Sequence, residues 1–234
     1  RSVQTFVWVG FVVLAALPVL GVLAGIADTL RRGKVAMTPG LLGPVLAILL
    51  ILGGVLAGAA QGLDSAGKDT LFGLATPLLQ WSQGLFLIGA ALAGALGGLA
   101  HWSRRILGAD APATANGGIL GAFLGGGLLG TLYLVQSILA RDGETGLATE
   151  AFGVIVAVGA ALLALGALGG LAALLTASRT GADTDSADDE TGLTLEWVDP
   201  TPSQSPLADY ELAVVRSPYP LLDLRDGGSD EEGS

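Results

Sequence analysis

The sequence predicts an all-α integral membrane protein: a bundle of five transmembrane helices followed by an extended, partly disordered acidic C-terminal tail. Three observations carry that expectation. The 234 residues are 51% hydrophobic and 14% charged, where soluble domains carry about 25% charged residues. The apolar residues fall in long continuous blocks, and runs of about 18 or more read as membrane spans. The blocks also lack the alternation, in segments of about ten residues, that a membrane β-barrel would show. Helices remain as the way to satisfy the backbone in lipid.

The blocks are residues 5–27, 41–60, 84–101, 117–140 and 151–177. Each is long enough to cross a hydrocarbon core of about 30 Å at about 1.5 Å per residue. The third is the shortest, and its helix is expected to start near Pro77 and run over 77–102, because proline suits a first helical turn. The bundle is thus expected to occupy residues 1–179. Because the chain starts at Arg1 rather than Met, it reads as a fragment or a processed product. Residues 1–27 also resemble a signal peptide, but the apolar run is longer than a usual h-region and another span follows closely.

Basic residues orient the spans. Arg31, Arg32, Lys34, Arg104, Arg105 and Arg179 lie in segments that share one side if five spans alternate. Arg1, Lys68 and Arg141 fall on the other. This bias places the first loop, the third loop and the tail in the cytoplasm of a multi-pass cell-membrane protein. Trp8, Trp81 and Trp102 lie near block ends, as interfacial anchors do. Glycines recur at four-residue spacing in Gly54/Gly58, Gly94/Gly98, Gly117/Gly121/Gly125 and Gly126/Gly130. That spacing lets helices approach closely. It admits two readings: packing inside a tight bundle, or a ligand or lipid groove along a glycine face.

The tail holds most of the net charge of −10. From Gly181 onward there are 14 of the 21 acidic residues but only 2 of the 11 basic ones. Residues 180–191 read as an acidic solvated linker. Residues 192–225 carry Pro200, Pro202, Pro206, Pro218 and Pro220 and read as an extended strip lying against something else. Residues 226–234 read as a disordered end. No basic patch exists to meet nucleic acid.

The stretch 68–83, KDTLFGLATPLLQWSQ, is the most polar one beside the apolar blocks. It holds Lys68 and Asp69, Pro77, and Gln80, Ser82 and Gln83 around Trp81. Such polar groups are costly at a bilayer unless they face protein or water; the three uncharged ones either line a polar path or bond to neighbouring helices. Chemistry elsewhere is sparse. There is no cysteine, and His101 is the only histidine, so the chain alone builds no thiolate or multi-histidine site. His101 is expected at a helix end, and a ligand role is the alternative. Asp28, three and four residues before Arg31 and Arg32, is placed for a helix-surface ion pair. Glu150 precedes the last span, where a helix dipole favours an acid. The glycine-rich run 117–130 lacks the Lys-Ser/Thr ending of a phosphate loop. No span carries a central charge, which argues against a transporter.

The tail letters Thr194–Trp197 (TLEW), Pro200–Pro206 and Ala213–Leu224 resemble the C-terminal segment of haem–copper oxidase subunit I, the catalytic subunit of cytochrome c oxidase. Further patches agree in order. PVLGVLAGIADTLRRG, from Pro18 to Gly33, looks like the family's eighth helix and its exit. Thr38-Pro39 and Gly53-Gly54 fit the ninth helix, Asp69-Thr70 with Phe72 fits the HDTYF before the tenth, and His101–Gly108 fits a helix exit. The resemblance covers nearly the whole chain, as the family's last five of twelve helices plus tail.

That family reduces oxygen to water with electrons from cytochrome c or quinol, pumps protons, and holds haem and copper. The departures are as informative. The resemblance places the haem-ligating histidines of the tenth helix at Thr76 and Leu78, which cannot ligate haem iron. The lysine and threonine of its proton path fall on Val22 and Val19, and Arg141 is the one candidate for a propionate-gripping arginine. The copper ligands would lie upstream. Asp69 falls where the resemblance implies a magnesium ligand, with Lys68 in the place of its histidine partner. Lys68–Asp69 then reads either as an ion pair replacing the metal or as a solvated loop pair. The resemblance implies a degenerate or structural part of a respiratory oxidase, binding neither haem nor copper by itself and assembled with other subunits in a lipid bilayer. The alternative is a non-redox membrane scaffold whose acidic tail docks a partner.

Overall fold

The computed structural model describes residues 2–32, 37–65, 76–107, 110–140 and 146–180. The chain divides into two units, Arg1–Ala182 and Asp183–Ser234, and all described residues belong to the first. Six helices follow in order: α1 (Ser2–Arg32), α2 (Pro39–Ser65), α3 (Thr76–His101), the short α4 (Ser103–Leu107), α5 (Ala115–Leu139) and α6 (Thr149–Thr180). Among the described residues there is no strand.

Five of these helices, all but α4, are long and apolar enough to cross a membrane. They outrun the apolar blocks of the sequence at most of their ends. α2 begins at Pro39 and α6 reaches Thr180, because a helix continues through polar residues until its backbone finds another partner. Pro39 opens α2 without losing a hydrogen bond, since the first N–H groups of a helix have no intrahelical acceptor. α5 begins differently. Its Thr114 makes no side-chain cap. Instead Ala115, Asn116 and Gly117 donate to the carbonyls of Pro112, Ala113 and Thr114 at 2.9, 3.1 and 3.0 Å, a tight 3₁₀ turn that feeds the helix. At its far end the Gln136 side chain accepts the Leu147 N–H at 2.8 Å, which fixes the segment entering α6. Glu150 lies in the first turn of α6, where the helix dipole favours it.

The helices pack as a folded row. α1 packs mainly on α2, α2 on α3, α3 on α5 and α5 on α6. α2 also reaches α5, and α3 reaches α6, so α3 and α5 form the centre. Burial follows this order: none of the most apolar window of α1 is buried, against 44% of that of α5. The core has two parts. Ala93, Leu96, Ile119, Ala122 and Leu174 join α3, α5 and α6. Ala47, Leu50, Ala57, Phe86 and Ala90 join α2 to α3.

Close approach is made by glycine. A side-chain carbon added at Gly89 on α3 would lie 2.7 Å from the Gly126 Cα on α5. One added at Gly43 on α2 would lie 2.5 Å from the Gly97 Cα. On α5 and α6, Gly118 meets Gly170 and Gly121 meets Gly166 backbone to backbone. Between apolar helices in lipid there is no hydrophobic drive, so van der Waals contact and interhelical hydrogen bonds must hold the bundle. Small residues make both possible.

The sequence reading located these faces only in part. Gly117/Gly121/Gly125 and Gly126/Gly130 do include close contacts. Gly94 and Gly98 do not: Gly94 touches the Ala47 side chain at 3.4 Å and Gly98 meets nothing within 4 Å. The seam of α3 runs instead through Gly89, Ala93 and Gly97, which also recur every four residues.

Candidate functional site

The first turns of α3 carry three polar side chains, Gln80, Ser82 and Gln83, around Trp81. Thr76 is the first residue of the helix, and Leu78 is half-buried. Leu79 and Ser82 are fully buried, and Gln80 and Trp81 are exposed. This pattern follows the helical period: positions 79, 82, 86 and 90 face the bundle, while 80, 81 and 87 face outward.

Each inward position is matched by a neighbour. The Ser82 hydroxyl donates to the Gly130 carbonyl of α5 at 2.7 Å, so it is satisfied by a neighbouring helix, one of the two readings its sequence position allowed. The Gln83 amide lies against Gly58 of α2. One turn deeper, Phe86 is wedged between Gly53 of α2 and Gly130 of α5. A side-chain carbon at either glycine would stand 2.9 or 2.6 Å from its ring. Beside these, Trp81, Tyr133 and Phe152 form an aromatic run across α3, α5 and α6. Their ring centroids are 6.4 and 5.2 Å apart in sequence. Trp81 and Tyr133, whose rings carry one polar group each, are of the kind that settles at a membrane–water boundary.

At the other end of α3, His101 is exposed and meets Trp102 edge-on at 5.6 Å. Trp102 is exposed too. Asn116 ties the start of α5 to the first loop by donating to the Met37 carbonyl at 3.3 Å. On α1, Arg32 Nε and Asp28 Oδ2 are 3.0 Å apart. The expected helix-surface ion pair is therefore made, by the four-residue partner and in an exposed position. Lys68, Asp69 and Arg141 lie outside the described residues.

The residues present do not fit a haem. The positions implied for its ligands carry Thr76 and Leu78, neither of which donates to haem iron. The one histidine lies 25 residues from Thr76, about 37 Å along the helix. Among the described residues, no three His, Cys, Asp or Glu gather where they could hold a metal ion.

The Phe86 slot was missed in the sequence. Its signal was present as Gly53 and Gly130, glycines on helices before and after an aromatic residue, but spacing alone does not say which side chain fills which gap. No protein-family model, curated protein or solved structure matches the chain.

Proposed function

We propose that the chain is a structural, non-redox part of a membrane-embedded respiratory complex, equivalent to the C-terminal helices and tail of haem–copper oxidase subunit I with the haem site lost. The observation that carries this reading is in the ligand positions themselves: where the resemblance implies haem histidines, the chain has Thr76 and Leu78, which cannot ligate haem iron. The tail letters TLEW and the strip Ala213–Leu224 support the kinship, and the order of the helix patches agrees with it. In this reading the chain contributes packing surface to an assembly whose haem and copper are held by other chains. The excess of basic residues in the first loop, the third loop and after the last apolar block supports a cytoplasmic tail. The tail, residues 181–234, lies outside the described residues.

The second reading is a non-redox scaffold of the cell membrane with a docking tail. It is favoured by the placement of 14 of 21 acidic residues after Thr180, a strong charge on a segment joined to a nearly neutral bundle.

An absorption spectrum with haem and copper assay separates the two. The chain is purified from membranes in mild detergent with whatever accompanies it, then stripped of its partners. The expected result is haem and copper in the assembly and none on the stripped chain. Haem retained one-to-one by the isolated chain would overturn the structural reading. An intact assembly free of haem and copper would overturn the oxidase placement and leave the scaffold.

A further inference from the structure

We draw no further inference here: the strongest candidate, the outward flank of α1 with its exposed Phe6, Phe11, Leu14 and Leu17 beside Gly21 and Gly25, is an unpartnered apolar helix face, and nothing in the structure shows what covers it.

Discussion

The α5–α6 seam and the α1–α2 edge are both pairs of apolar helices in one bundle, yet they are joined by different means. At the seam, glycine backbones touch glycine backbones through Gly118, Gly121, Gly166 and Gly170. At the edge, α1 presents a stripe of half-buried side chains, Ala16, Val19, Leu23, Ile26 and Leu30, three and four residues apart. Gly21 and Gly25, also four apart, meet nothing within 4 Å. The same spacing therefore makes a backbone contact in one place and an open surface in another. A glycine pair acts only when a second helix brings small residues to the same depth. Packing at the seam depends on missing side chains, and packing at the edge depends on present ones.

Substituting both glycine pairs would break the comparison most sharply. Gly121→Leu drives a side chain into the backbone of Gly166 and is expected to cost several kcal/mol, at or above the usual 1–3 for overpacking. Gly21→Leu is expected to leave stability unchanged. Unfolding of the purified protein in mixed SDS micelles, followed by circular dichroism, measures both. Equal effects would show that α1 packs on its glycine face after all. A second contrast concerns Phe86 of α3, which lies between Gly53 of α2 and Gly130 of α5. Phe86→Ala leaves a cavity between Gly53 and Gly130 and should cost about 3 kcal/mol in the same assay, whereas Phe11→Ala on the exposed flank of α1 should cost almost nothing. The smallest effect belongs to the polar link. Ser82→Ala removes the hydrogen bond to Gly130 and should cost about 0.6 kcal/mol, the average for such bonds between membrane helices. A loss well above that would mean that Ser82 also keeps α3 and α5 in register.

The five long apolar helices were legible because length and apolarity alone decide them. What lay between the helices was less legible. Four-residue spacing identifies a face of a helix but not its partner, so Gly94 and Gly98 looked like a seam while the contact runs through Gly89 and Gly97. The Asp28–Arg32 pair was legible because both residues sit on one helix, where spacing fixes distance. Phe86 was not, since its slot is formed by α2 and α5 together. The glycine face of α5 was visible only as a choice between packing and a groove. Adjacent glycines differ, Gly118 inward and Gly117 outward, and the sequence does not mark which is which. Lys68, Asp69 and Arg141 are outside the described residues and stand where the sequence left them.

The Gln136 side chain, which holds the Leu147 N–H at 2.8 Å, has a consequence for biosynthesis. It ties the end of α5 to the connection into α6, and the glycine seam between the two helices needs no residue from elsewhere. The pair is thus a self-contained hairpin, able to close as soon as α6 has left the ribosome. α3, by contrast, precedes α5 in the chain but must wait for it, because Phe86 and Ser82 have no complete site until Gly130 arrives. Membrane insertion would then proceed in chain order, while the centre of the bundle is sealed only late, when the C-terminal hairpin docks onto α3.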